Sequence, residues 1–467
     1  MATISSAGLG SGLEVETIIT KLMALERAPV ERLEKQASTI QTKISAFGQL
    51  QSAMSTFRDS ALALTRASTW GVTAATSSDA SAIQVTTGEG AVAGDYTISV
   101  GALAKSESAV SQTYESANEL VGAGTLRVEI GSFGQAGFAP QPNLAAMSID
   151  IGPNDSLATV RNKINAAGAG VSAVIVNDTT GARLVISSTN PGSDNVFRLS
   201  GVSGLGYEPG VPSEMTQTQA GANAEVTING LAVTTSGNRL TDVVQGLTIN
   251  LNKADSSAQI SVTQDNAALK TSVQTFVDSY NALAKNLATQ TKYDEGSKKA
   301  GTLQGDSTAV GLQRQLRNLV TGDSPASEVY ANLNSVGITL QRDGTLKIDD
   351  ARLTSALNGN PAELRKLFST SVPQVNENDP DLNGIATRLR NFTDKVLGTD
   401  GSLTTKTESL TTTLNLNIKR QGEYEDRMDL TEKRLRAQYT ALDTNMAKLS
   451  ALNTYITNQV AAWNKSS

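Results

Sequence analysis

Apolar residues recur at every seventh position through the last stretch of the chain. Met428, Leu435, Leu442, Leu449, Ile456 and Trp463 make one row, and Tyr439, Met446 and Val460 stand three residues ahead of its later members. Only Glu432 and Asn453 interrupt this second row, and neither Pro nor Gly falls between Glu423 and Ser467. Such an a/d seam predicts a long amphipathic helix that needs a partner helix. Near the other end Leu33, Ile40, Phe47, Met54 and Ala61 also step by seven, with Leu50, Phe57 and Leu64 three residues on. Both termini are therefore expected to be helical, to pack together and to hold everything between them as an insertion. Whether they pair within one chain or between chains stays open. Asn453 fits either reading, because a polar residue at an a-type position sets register in coiled coils and also occurs in ordinary bundles.

Between the two ladders the periodicity changes several times. A helix is expected over 13–27 with Val15, Ile18, Ile19, Leu22 and Leu25 inward, and Pro29 ends it or starts a second helix over 30–66. Residues 1–12 are small and polar; their Gly8-x-Gly10 lacks the preceding strand that a phosphate cradle requires. A Ser/Thr/Ala-rich stretch at 67–79 marks a domain boundary. Alternating patterns at 82–87 and 96–103, separated by Gly88, Gly90 and Gly94, predict a hairpin. Strands at 126–130 and 147–151 flank an expected loop at 131–142, and a helix at 156–167 follows, capped by Asn154 or Asp155 and ended at Gly168. Strands at 171–176 and 183–188 complete a small α+β module. Residues 201–222 read as a loop-like return path. A hairpin across Asn229-Gly230, a helical turn at 240–244 and strands at 247–251 and 260–262 are expected to pair with 82–103, because an interrupted domain must close on itself. From Ala267 helices return at 269–289, 307–320, 350–357, 362–368 and 385–397, with a hairpin across Asp343-Gly344.

The expected fold class is multidomain α+β, with terminal helices forming a coiled-coil or helical-bundle leg and two inserted β-rich (α+β) head domains. The leg takes 1–41 and 426–467, a helical domain with a β-hairpin takes 42–72 and 266–425, a β-rich domain takes 73–103 and 219–265, and an inserted α+β module takes 104–218.

Composition narrows the chemistry. The chain has no Cys and no His, which removes thiol nucleophiles, zinc-finger spacings and His general bases together. Asp294-Glu295 and Asp349-Asp350 are read as solvated or capping pairs rather than acid/base catalysts. The stretch 341–344 lacks the carboxylate spacing of a calcium loop and is read as a turn. Phe133 and Phe138 could form a receptor-contact loop; capping their own module's core is the favoured reading. No catalytic, cofactor or metal-binding residue is therefore assigned. The candidate functional residues are the assembly seam: Leu33, Ile40, Phe47, Met54, Met428, Leu435, Tyr439, Leu442, Met446, Leu449, Asn453, Ile456, Val460 and Trp463. Between Thr73 and Gln264 sixteen acidic residues face eight basic ones, against an overall charge of −6. That acidic middle argues against a nucleic-acid surface. The start lacks the basic and apolar regions of a cleaved signal peptide, and no apolar run is long enough to predict membrane insertion.

Four motifs in order carry a resemblance. They are LGSGLEVETIITKLM, AVAGDYTISVGALAKS, AEVTINGLAVTTSGNRLTDVVQGLTINL, and LNSVGITLQRDGTLKIDDARLTSAL followed by PAELRKLF. Together they resemble the flagellar filament cap family, hook-associated protein 2. The stretch SIDIGPNDSLATVRNKINAAGAGVSAVIVNDTTGARLVISS is similar to that family's flagellin-type insertion motif. The resemblance covers essentially the whole chain. It implies an extracellular structural protein, not an enzyme, exported through the flagellar type III apparatus without a cleaved signal and assembled at the filament tip. There it promotes flagellin insertion. It further implies a homo-oligomeric ring, often a pentamer, and contacts with hook-filament junction proteins and with an export chaperone on the C-terminal helix. The competing expectation is a surface adhesin that binds host mucin or glycans through the acidic β domains.

Overall fold

A computed structural model describes residues 14–296, 298–373 and 381–464, with Trp463 described for its backbone only. The Gly8 to Gly12 stretch, residues 374–380, over which a loop is expected, and the Trp463 side chain lie outside the described residues. The chain divides into two compact units, Trp70–Leu269 and the two flanking stretches Met1–Thr69 and Lys270–Ser467.

The flanking unit opens with α1 (Val15–Thr65), followed by the short α2 (Ala67–Trp70). The two helices expected on either side of Pro29 are one. Proline removes a single i→i−4 hydrogen bond, here the one that would reach Leu25. The helix continues because the next residue, Val30, is fully buried and anchors the following turn. Leu22 and Leu25, expected inward, are exposed.

The inserted unit contains two modules. Strands β1 (Thr73–Ser77), β2 (Ile83–Thr87) and β3 (Gly94–Ala102) begin the first. The chain then leaves through β4 (Ser108–Val110), β5 (Gly124–Gly134), β6 (Gly137–Pro140), β7 (Met147–Ile151), α3 (Leu157–Ala167), β8 (Val171–Asp178), β9 (Gly181–Ser188), β10 (Val196–Ser200) and β11 (Thr216–Gln219). It returns with β12 (Ala224–Ile228), β13 (Leu231–Thr235), β14 (Arg239–Leu240), β15 (Leu247–Leu251) and β16 (Ser256–Gln264).

The first module is a sandwich of the sheets β1-β16-β3-β12-β13 and β14-β15-β2. The hairpin expected from 82–87 and 96–103 does not form. Those strands lie in opposite sheets, and their inward residues Ile83, Val85, Ile98 and Val100 meet in one core. The expected closure is present: β15 pairs with β2, and β16 pairs with β3. Asn229 and Gly230 both take positive φ, 51° and 85°, as a two-residue turn matched to strand twist demands. The helical turn expected at 240–244 is absent. Leu240 instead sits in β14 with its side chain in the sandwich core, and Val243 and Val244 pack against that core from a bend.

The inserted module combines the sheet β11-β4-β9-β8 with a second sheet in which β10 lies on one edge of β5 while β6 and β7 share the other. The expected loop at 131–142 is a β5–β6 hairpin. Gly131 allows it, since a Cβ there would stand 2.1 Å from the Ala139 carbonyl oxygen and 2.8 Å from the Phe138 ring. Neither Phe133 nor Phe138 joins the buried core, and Arg198 lies over the Phe138 ring at 4.8 Å. Ser156, rather than Asn154 or Asp155, caps α3 by accepting from the Thr159 amide. Asp155 is occupied by the Gly152 amide and by Lys163. The return path is less loose than expected, because Val202, Leu205, Tyr207 and Met215 are core residues.

The flanking unit resumes with α4 (Asn266–Thr291), α5 (Ser307–Thr321), α6 (Asp350–Gly359), α7 (Pro361–Ser369), α8 (Ile385–Leu397) and α9 (Ser402–Trp463). Strands Ile338–Leu340 and Leu346–Ile348 form the Asp343-Gly344 hairpin, where Asp343 accepts from the Thr345 amide and hydroxyl. Asp349 caps α6. The aromatic centre joins α1, α4 and α7: Phe57 lies 5.5 Å from Phe276 and 5.7 Å from Tyr280, and Phe276 lies 6.2 Å from Phe368.

Candidate assembly surface

The two terminal helices pair antiparallel within one chain. Three contacts set the register. Lys406 lies 5.9 Å from the Phe47 ring, Asn417 hydrogen-bonds Gln36 at 3.5 Å, and Arg436 ion-pairs with Glu16 at 2.5 Å. Advancing twenty residues on α1, from Glu16 to Gln36, matches retreating nineteen on α9, from Arg436 to Asn417. This geometry answers, for the single chain, the question that the seam pattern leaves open.

Along that pair the seam residues fall into three groups. Phe47 and Met54 are completely buried at the base, where α8 also packs against α1. Lys406 closes the same region by binding Asp306 at 2.8 Å, and Asp306 caps α5 through the Thr308 and Ala309 amides. Burial would raise the Asp306 carboxyl, but the Lys406 ammonium and those amides outweigh it and hold the group below the usual carboxylate range.

In the middle stretch Leu33, Ile40, Met428, Leu435 and Tyr439 are half-buried. Two grooves run here. One of about 550 Å³ is lined by Gln36, Ile40, Leu416 and Asn417, and one of about 390 Å³ by Pro29, Tyr424, Met428 and Leu430. Among the described residues of α9 the buried polar one is Asn417, which also accepts from Gln421 at 2.7 Å. Sequence reasoning missed it because it looked for the seam from Met428 onward. The signal was available in Leu403, Leu410 and Asn417, spaced by seven.

Beyond Tyr439 the described part of α1 no longer reaches α9. Leu442, Met446, Leu449, Ile456 and Val460 are 41–60% exposed, and Leu452 and Tyr455 stand beside them at 53% and 61%. Asn453 is exposed too. Water disfavours an apolar stripe of this length, and a single helix cannot cover it alone.

No helix among the described residues is long and apolar enough to cross a membrane. No group of three or more acidic residues among them could hold a metal ion.

Comparison with known proteins gives matches along the whole chain. The family model for the flagellar hook-associated protein 2 N-terminus matches residues 11–107, that for its C-terminus matches 221–451, and the flagellin hook IN motif matches 143–190. Flagellar hook-associated protein 2 of Escherichia coli strain K12 is 33% identical over 479 residues, covering 98% of each chain. Its counterpart in Salmonella typhimurium is 31% identical over 483 residues, covering 100% of each. The crystal structure of the flagellar cap protein FliD D1-D2-D3 domains from Escherichia coli aligns with a TM-score of 0.61 at 30% identity, covering 78% of this chain and 99% of that one. On matches to both termini and on relatives alignable from end to end, the chain belongs to the flagellar hook-associated protein 2 family.

Proposed function

We propose that this chain caps the distal end of the bacterial flagellar filament and promotes the insertion of flagellin subunits there. The observation that carries the reading is the bare apolar stripe of α9 from Leu442 to Val460, held out by a helix pair whose base is firmly packed. A face of this kind is complementary to other helices, and the filament end and neighbouring copies of the chain supply them. The seam residues then have distinct roles: Phe47 and Met54 anchor, Leu33, Ile40, Met428, Leu435 and Tyr439 zip the pair, and Leu442, Met446, Leu449, Asn453, Ile456, Val460 and Trp463 engage partners. The leg, helical domain, β-rich domain and inserted module divide as 1–41 with 426–467, 42–72 with 266–425, 73–103 with 219–265, and 104–218. The chain works as a closed ring, a pentamer, outside the cell at the filament tip. It reaches that site by the flagellar export route, with an export chaperone on α9, and it meets the hook-filament junction proteins before filament growth. It acts by fit and not by catalysis. No observation favours the glycan-adhesin reading over this one.

The test is complementation of a strain lacking its own cap. A chain truncated after Ala441 is expected to fold, to give no filaments and to release flagellin into the medium. Because truncation also removes an export contact, the paired change Leu449→Ser with Ile456→Ser, checked for secretion, repeats the test on full-length protein. Normal filaments from either secreted variant would contradict the reading.

A further inference from the structure

The sheet β11-β4-β9-β8 of the inserted module ends at β8, and that edge strand carries a hazardous sequence. Val171 to Val176 reads VSAVIV, without charge, Pro or Gly, and four of the six residues are β-branched. Val174 and Val176 are 57% and 48% exposed. A short, uncharged β-former with an open row of backbone donors and acceptors is a template for pairing with the same strand of another copy.

The row that faces outward follows from the register. β8 and β9 close with Asp178 opposite Gly181, a two-residue hairpin. Opposite pairs then alternate between bonded and non-bonded, which turns the backbone groups of Val171, Ala173, Ile175 and Asn177 to the free edge. At Ala173 that edge is already taken. Asn165, in the last turn of α3, donates from Nδ2 to the Ala173 carbonyl at 2.8 Å, and the Ala173 amide donates to Asn165 Oδ1 at 2.7 Å. One side-chain carboxamide, with its donor and acceptor side by side as in a peptide unit, makes the two bonds that a neighbouring strand would make. The same pairing recurs in the flanking unit, on the open side of the strand Leu346–Ile348. There Asn281 Nδ2 donates to the Leu346 carbonyl at 2.9 Å, and the Leu346 amide donates to Asn281 Oδ1 at 2.6 Å.

We propose that Asn165 is an edge guard, which occupies β8 at Ala173 so that a second copy of this chain cannot add its own β8 there. With Ala173 taken, the outward groups are divided into Val171 on one side and Ile175 with Asn177 on the other. Neither piece is long enough to hold an incoming strand, and Asp178 closes the second with a charge. Removing the guard opens Val171 to Asn177 as one continuous edge.

Hydrogen exchange resolved to single amides in the full chain tests this, because the edge amides report pairing at β8 and not contacts made elsewhere. In the parent, Ile175 and Asn177 are expected to exchange fast at every protein concentration and Ala173 slowly. Asn165 is exposed and Ala is the better helix former, so Asn165→Ala keeps α3. Slow exchange of the Leu184 amide, bonded to Ser111 Oγ at 2.9 Å inside the module, checks that each variant is folded. In Asn165→Ala the Ala173 amide is expected to be freed at low concentration. As concentration rises, Ala173, Ile175 and Asn177 are expected to become protected together by about tenfold or more, the size of a hydrogen bond gained. Adding Val174→Lys places a charge on the exposed face of the edge strand and is expected to abolish that concentration dependence while Ala173 stays fast. Protection of Ile175 and Asn177 in the parent overturns the proposal. Fast exchange of all three amides in Asn165→Ala at the highest concentration overturns it as well.

Discussion

At the level of single residues, burial and hydrogen bonding decide which positions matter. Phe57 is fully buried against Phe276 and Tyr280, and Phe57→Ala is expected to cost about 3–5 kcal/mol by thermal or denaturant unfolding. Asp306→Ala removes a helix cap and leaves Lys406 without its partner at the base of α9; a loss of about 1–2 kcal/mol is expected. The sign of the acid response follows from depressed carboxyls. Asp306 titrates below its unfolded value, and Lys366, Ser327 and the Glu328 amide hold Glu363 at about 2. Each contributes stability that is present above the unfolded carboxylate range and is lost as pH falls through the folded value. Thermal melts should therefore decline on acidification from about pH 5 towards pH 2, and less steeply in Asp306→Asn with Glu363→Gln. Much of this was readable in the sequence where the signal is local, as with Asp349 at the start of α6 and Asn229-Gly230 in its turn. Asn417 was not readable in this way, because its partner Gln36 lies far away along the chain.

Among elements, the heptad ladders identified both long helices, and the inward alternation of β2, β3, β15 and β16 identified the strands of the sandwich. What the pattern does not carry is which sheet an alternating strand joins. Residues 83–87 and 94–102 look like neighbours in a hairpin and instead face each other across a core, because both inner rows are apolar and either arrangement buries them. Glycine misled in the opposite direction at 131–142, where Gly131 makes room inside a hairpin instead of ending one. In the helix pair, Asn417 is a buried polar residue of α9 and one of the three contacts that set the register. Asn417→Leu is expected to let the helices slip. A disulfide between Glu16→Cys and Arg436→Cys reads this directly: efficient closure in the parent and a marked drop in the Leu variant are expected, and equal yields would remove Asn417 from the role.

For the whole molecule, the chain combines well-buried cores in its middle with an apolar stripe left exposed on the last part of α9. The sixteen acidic residues between Thr73 and Gln264 sit on modules with closed cores of their own, whereas the basic and neutral remainder carries the bare stripe. Composition leaves no His or Cys to act, and periodicity foretold the paired helices. Neither could say that the seam is covered up to Tyr439 by the chain's own α1 and uncovered from Leu442 onward, since that depends on the register of two helices distant in sequence. The central claim is that this uncovered stretch becomes buried only in assembly. Hydrogen exchange of the backbone amides in the free chain and in the assembled cap tests it most directly. The account predicts strong protection across 403–435 in both states, and fast exchange across 442–460 in the free chain that slows markedly on assembly. Strong protection across 442–460 in the isolated chain, or no gain on assembly, would contradict it.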